Sequence, residues 1–154
     1  MKTNALRLLD KLGVSYETAG YEVDEEKLDA VSVAEKLGAD PDSVFKTLVA
    51  RGDRTGVCVF VIPGPLELNL KKAATASGNK SVELIHLREL TPLTGYIRGG
   101  CSPLAMKKQY PTWIEETARL FNAVYVSAGI RGLQILLAPD DLRSAGHAEW
   151  AELL

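Results

Sequence analysis

The chain has 154 residues, 46% of them apolar and 25% charged, with a formal net charge of −2, the balance of an ordinary globular domain rather than a disordered or membrane-embedded one. No run of about 18 apolar residues is present to span a bilayer, and residues 1–13 carry the pattern of an amphipathic helix, not of a signal peptide. The two cysteines, Cys58 and Cys101, show neither zinc-ligand nor CxxC spacing and argue against a disulfide framework. The expectation is one α/β domain in the cytoplasm. Its charge is uneven. Residues 1–45 hold ten acids and five bases, whereas residues 71–131 hold nine bases and four acids. A basic central segment suits a polyanion, and it suits a plain solvated surface equally well.

Asn4 is a candidate N-cap for a first helix bearing Leu6, Leu9 and Leu12, with Gly13 as its stop. Residues 14–21 alternate loosely and predict a strand ending at Tyr21, whose ring either covers the core or faces a cleft. Ser32 and Glu35 match a capping box for a second helix that Gly38 stops. Residues 40–43 predict one more helical turn, with Pro41 at its first position.

Residues 44–49, Val-Phe-Lys-Thr-Leu-Val, then read as a strand interrupted by a single lysine. Lys46 has two readings: an exposed lysine on an edge strand, or an ammonium that gives its charge to a ligand. Residues 51–56 predict a turn into the apolar strand 57–62, which makes a hairpin. Cys58 lies inside that second strand as a small core residue. Beyond the break at residues 63–65, the leucines and alanines of residues 66–74 predict a helix that Gly78 ends. Residues 81–84 predict a short strand, and residues 86–90 a helical turn stopped by Thr91-Pro92.

The loop Gly99-Gly100-Cys101-Ser102-Pro103 follows. Its paired glycines let backbone N–H groups approach a ligand closely, but it lacks the lysine-serine ending of a nucleotide-phosphate loop. Cys101 invites a nucleophile reading, yet neither histidine, His86 or His147, stands in a recognisable relation to it. Residues 113–116, 123–127 and 133–137 predict strands. The last two form a hairpin with Ser127 at a strand end, and Pro139 opens a C-terminal helix. There is no GxSxG elbow, no clustered metal ligands and no dinucleotide fingerprint. From the residues alone the chain is an α/β domain with a small polar pocket able to stabilise an oxyanion.

Three segments carry a resemblance. Phe45-Lys46-Thr47-Leu48, the residue 99–103 loop with Lys107-Lys108, and Tyr125-Val126-Ser127-Ala128-Gly129 with Arg131-Gly132-Leu133 stand in the order and spacing of the YbaK/EbsC family. These are free-standing aminoacyl-tRNA deacylases similar to the editing domain inserted in bacterial prolyl-tRNA synthetases. The resemblance implies a compact, barrel-like mixed sheet, mostly antiparallel, with flanking helices. It implies hydrolysis of mischarged Cys-tRNA(Pro), and of Cys-tRNA(Cys) as a second substrate, by attack of the substrate's own thiol.

In that family the lysine matching Lys46 is the residue on which activity depends. Tyr21, Thr47, Gly99, Gly100, Cys101, Ser102, Pro103, Ser127 and Gly129 match pocket positions. Lys71, Lys72, Lys107 and Lys108 are candidates to meet the acceptor stem. No cofactor and no metal are implied, and prolyl-tRNA synthetase is a candidate partner. One departure stands out: some members carry an acid where this chain has Gln134, which leaves the preferred aminoacyl group open. The alternatives are a deacylase for another small residue such as alanine, and a non-catalytic module that binds tRNA or the synthetase.

Overall fold

The structure, a computed structural model, describes residues 2–154. The chain opens with helix α1 (Asn4–Leu12), which buries Ala5, Leu6 and Leu9. Its cap is Thr3 rather than Asn4: the Thr3 hydroxyl accepts the Leu6 N–H at 3.3 Å, and Asn4 already has helical backbone. Strand β1 (Glu17–Gly20) is the short core of the predicted 14–21 strand. Helix α2 (Ala30–Leu37) begins two residues before the predicted Ser32 start. Asp29 is its cap, accepting from the Ser32 N–H at 3.0 Å and the Ser32 hydroxyl at 2.8 Å. Ser32 is therefore a donor to the cap and not the cap itself. A single 3-10 turn (Pro41–Ser43) follows, as expected from Pro41.

The hairpin strands are β2 (Phe45–Gly52) and β3 (Gly56–Pro63), paired so that Lys46 faces Ile62. Helix α3 (Leu70–Ser77) starts four residues later than the apolar pattern predicted. The Asn69 side chain caps it by accepting the Lys72 N–H at 3.1 Å. Strand β4 (Val82–Leu84) precedes a 3-10 turn (Leu87–Glu89) and helix α4 (Leu90–Thr94). The helical path thus continues through Thr91-Pro92 instead of ending there. Pro92 falls in the first turn of α4, where an N–H has no intrahelical partner to lose.

Strand β5 (Thr112–Glu115), a 3-10 helix (Glu116–Leu120), strands β6 (Val124–Ser127) and β7 (Leu133–Leu137), helix α5 (Pro139–Ala145) and strand β8 (Glu149–Ala151) complete the chain. Three residues are too few to give β8 a readable alternation, so sequence reasoning missed it. None of these helices is long and apolar enough to cross a membrane.

Two sheets result, ordered β1-β7-β6 and β4-β2-β3-β5-β8. The pairs are antiparallel except β3 with β5 and β5 with β8. A bridge between Val44 and Tyr125 joins the sheets beside Lys46, so the architecture is the expected mixed, mostly antiparallel, barrel-like one without complete closure.

Strand β3 explains its own unbroken apolar run, because it is buried on both faces. Val59 and Val61 enter the core shared with α1, β6, β7 and α5, while Cys58, Phe60 and Ile62 enter the core under α3 with Trp113 and Leu153. Phe60 and Trp113 stack at 5.6 Å between centroids.

The C-terminal segment is anchored by a buried carboxylate. Glu115 is 1% exposed and accepts the N–H groups of Thr117 at 2.8 Å and Leu153 at 2.9 Å. A glutamine there sets an N–H₂ against one of these donors. Glu115→Gln is expected to destabilise the fold by about 1–2 kcal/mol, read as a lower urea midpoint at unchanged slope.

Candidate active site

Lys46 emerges at the start of β2, directly after Phe45, which is buried in the main core. Strand period places Lys46 on the face of Leu48 and Ala50, the side packed under α3. Its cross-strand neighbour Ile62 is fully buried. The lysine is half-buried and lines a cavity of about 380 Å³, within the usual range for small-molecule sites. The side chain is thus partly covered rather than standing on an open solvent face. None of the ion pairs among the described residues involves its ammonium. Burial pushes its pKa down from 10.5, and the Glu67 and Asp29 carboxylates oppose that shift. An ammonium that is partly dehydrated and unpaired is poised to meet a ligand's negative charge.

One wall of the cavity is the N-terminal end of α2, with Leu28, Asp29, Ala30 and Val33. Asp29 does not neutralise Lys46 outright, because both its oxygens are engaged by Ser32. The Ser32 hydroxyl, then its N–H, holds the Asp29 carboxyl below the ordinary range. Gly64 lets this wall close. A Cβ at Gly64 would lie 2.3 Å from Ala30 Cβ and 3.0 Å from the Val44 carbonyl oxygen, which already accepts the Gly64 N–H at 2.8 Å.

A second wall is formed by Arg98, Gly99 and Cys101 of the residue 98–103 loop. Gly99 has φ +83 and Leu28 3.2 Å from its would-be Cβ, while Gly100 leaves only 3.1 Å to the backbone of Ile130 and Arg131. The Arg131 Nε donates to the Arg98 carbonyl at 2.8 Å. Loop and β6–β7 turn are therefore packed backbone to backbone.

Ser127 and Gln134, register partners across β6 and β7, supply neutral polar groups to the same cavity. The Ser127 hydroxyl oxygen accepts the Gly129 N–H at 3.1 Å. Gln134 is 5% exposed, and its Oε1 is enclosed with no hydrogen-bond partner. An orphan of this kind costs about 1–3 kcal/mol. Cys101 also lines the cavity, but burial pushes its thiol up to about 12, with a smaller opposing effect from a Thr94 hydrogen bond. It is a neutral wall, not a thiolate.

Of the residues expected from the sequence, Lys46, Thr47, Gly99, Cys101 and Ser127 come together around this cavity. Gly100, Ser102, Pro103 and Gly129 are not among its lining residues. Ser102 is fully buried and its hydroxyl accepts the Leu104 N–H at 3.2 Å, and Gly129 packs against the Tyr96 ring. Tyr21 lines a separate outer hollow with Glu22, Glu25 and Lys36, the Lys36 ammonium lying 6.0 Å from its ring centroid.

Lys107 and Lys108 are exposed; Lys107 Nζ donates to the Pro92 carbonyl at 3.4 Å. Lys71 and Lys72 border another hollow of about 420 Å³ with Trp113, Glu149 and Glu152. Lys72 is engaged there by Glu152 at 2.6 Å and the Leu154 carbonyl at 2.5 Å. Asp29, Arg98 and Gly64 were not picked out as site residues beforehand. Only Arg98, beside Gly99-Gly100, carried a local signal.

The cavity combines a half-buried ammonium that makes no ion pair among the described residues, backbone-lined walls and a neutral thiol. The chain belongs to the aminoacyl-tRNA editing domain family, whose model matches residues 24–145. It is 51% identical over 152 residues, 99% of this chain and 93% of the relative, to EbsC of Enterococcus faecalis, to which Cys-tRNA(Pro)/Cys-tRNA(Cys) deacylase activity is ascribed. Two crystal structures share the fold. One, described as a trans-editing enzyme for prolyl-tRNA synthetase, has a TM-score of 0.84 at 23% identity over 99% of this chain and 98% of its own. The other, the hypothetical protein APE2540, has a TM-score of 0.88 at 23% identity over 98% and 99%.

Proposed function

We propose that the protein is a cytoplasmic trans-editing deacylase that cleaves the ester of cysteine mischarged onto tRNA(Pro), with Cys-tRNA(Cys) as a second substrate, and that its 154 residues act as one catalytic unit. The observation that carries this is the unpaired, half-buried Lys46 ammonium in a cavity whose one cysteine is a neutral thiol. The missing nucleophile is supplied by the substrate. Its thiolate attacks its own carbonyl carbon, a C–S bond forms, and the C–O bond to the terminal ribose breaks. The ribose oxygen takes a proton, and water then opens the cyclic thioester to free cysteine. The protein's contribution is orientation of thiol and ester and stabilisation of developing negative charge.

Lys46 faces that charge, while Gly99 and Ser127 shape the acyl pocket. Arg98 at the mouth, with exposed Lys107 and Lys108, meets the acceptor end. The engagement of Lys72 by Glu152 makes Lys72 a weaker contact than the exposed lysines. Association with prolyl-tRNA synthetase, the enzyme named with a protein of the same fold, is part of the proposal. Incubation with labelled Cys-tRNA(Pro) tests the reading: release of cysteine well above the buffer rate is expected, and a rate equal to buffer contradicts it. Cys101→Ser is expected to stay within about threefold of wild type, because a thiol held near 12 is not the attacking group. Loss of activity in that variant would place the nucleophile in the protein.

A further inference from the structure

Two turns adjoin at the edge of the Lys46 cavity. The first, residues 97–100, is closed by the Gly100 N–H donating to the Ile97 carbonyl at 3.0 Å, with Gly99 at φ +83. The second joins β6 to β7 and is closed by the Ala128 N–H donating to the Leu133 carbonyl at 3.1 Å. A Cβ on Gly100 would lie 3.1 Å from the backbone of Ile130 and Arg131, so the turns meet at a glycine. Each turn presents an isoleucine followed by an arginine, and Ile97 and Ile130 are both exposed. Single exposed aliphatics are ordinary, but two on adjoining turns beside two arginines and a cavity mark a binding surface. Arg131 holds the first turn through its Nε on the Arg98 carbonyl, and Glu25, 84% exposed and 4.0 Å away, is too weak a partner to neutralise it. Arg98 differs. Its guanidinium makes no ion pair among the described residues, and it is the one cation besides Lys46 among the cavity's lining residues.

We infer that these turns form a subsite for the unpaired nucleotide that precedes the terminal adenosine. Arg98 binds the phosphate joining the two nucleotides, and Ile97 and Ile130 pack against the preceding base. This rests on the deacylase reading above and adds the path by which the RNA leaves the cavity. With the acyl group at Lys46, the first charge beyond the terminal ribose is that phosphodiester, and a free guanidinium matches its oxygens in a two-pronged contact. An unpaired base offers an open face to apolar side chains, which a base stacked in a duplex does not. Duplex binding draws on several phosphate contacts, whereas this rim has one free guanidinium.

The test is calorimetric binding of three non-hydrolysable ligands. These are 3′-cysteinylamino-3′-deoxyadenosine, the same compound with a 5′-linked cytidylate, and that dinucleotide with an abasic ribose in place of cytidine. Wild type is expected to bind the cytidylate ligand about tenfold or more tighter than the nucleoside, with the abasic ligand between them, the scale of one phosphate contact plus one packed base. The phosphate's share is expected to fall with salt along a log–log slope of about −0.7, as for a single contact. Arg98→Gln is expected to bind the abasic and nucleoside ligands within about twofold of each other at every salt concentration. The double variant Ile97→Ser, Ile130→Ser is expected to bind the cytidylate and abasic ligands within about twofold. All three side chains are exposed, so the variants keep the wild-type melting temperature. Equal binding of the three ligands by wild type, or gains that survive in these variants, overturns the subsite alone. Wild type binding none of the three overturns the deacylase reading together with it.

Discussion

Lys46→Ala is expected to lower kcat/KM for Cys-tRNA(Pro) by about 100-fold or more, the usual scale for removing one charge-stabilising group from an active site. The variant stays folded, because the ammonium makes no ion pair among the described residues. Its melting temperature equals or exceeds that of wild type, since the dehydration that depresses the Lys46 pKa is an unfavourable contribution to the folded state. The pH dependence has a definite sign. Charge stabilisation needs the protonated amine, so the Lys46-dependent part of the rate is present at low pH. It is lost as pH rises through a pKa below the ordinary 10.5. A Lys46→Ala enzyme that keeps a third of the wild-type rate contradicts this role.

Gly64→Ala is expected to destabilise the fold by about 1–3 kcal/mol through overpacking and to lower activity by about tenfold. The new methyl would meet Ala30 Cβ at 2.3 Å and the Val44 carbonyl at 3.0 Å. Relief comes from moving the start of α2 outward, which carries Asp29 away from Lys46 and opens the cavity wall. Because the severe clash is with the Ala30 methyl and the Val44 contact is only tight, Ala30→Gly in the same chain is expected to recover most of both losses. The effects of the two substitutions are then far from additive. Thermal melts and deacylation rates of the single and double variants measure this. Wild-type behaviour of Gly64→Ala would mean that α2 does not wall the site.

The elements most legible in the sequence were those with local causes. The β2–β3 hairpin, the glycine-stopped helices and the Pro41 and Pro139 starts follow from alternation, left-handed glycine and the fixed φ of proline. What failed was capping and length. Thr3 and Asp29 displaced Asn4 and Ser32 as caps because the choice depends on which side chain reaches back to a free N–H, and sequence spacing leaves two candidates. β8 is three residues held by parallel pairing to β5, a non-local cause with no local signature.

In the site, Lys46 announced itself by interrupting an apolar strand, and Gly99-Gly100 by their pairing. Gln134 drew notice only as a departure from the family's acid; that its amide is buried and orphaned emerges once β1, β7 and β6 are side by side. Asp29 and Gly64 reach the cavity only through the packing of α2 against the hairpin. Tyr21 illustrates the converse: its strand-end position leaves the ring over the core or at a cleft, the family resemblance puts it in the pocket, and the turn after β1 sends it to the outer hollow.

The most direct measurement is a crystal structure with 3′-cysteinylamino-3′-deoxyadenosine bound. The cysteinyl group is expected between Lys46 and the Gly99–Gly100 loop, with its carbonyl oxygen within hydrogen-bond distance of Lys46 Nζ. A ligand seated instead in the hollow bordered by Lys71 and Trp113, with the Lys46 cavity empty, would contradict the account.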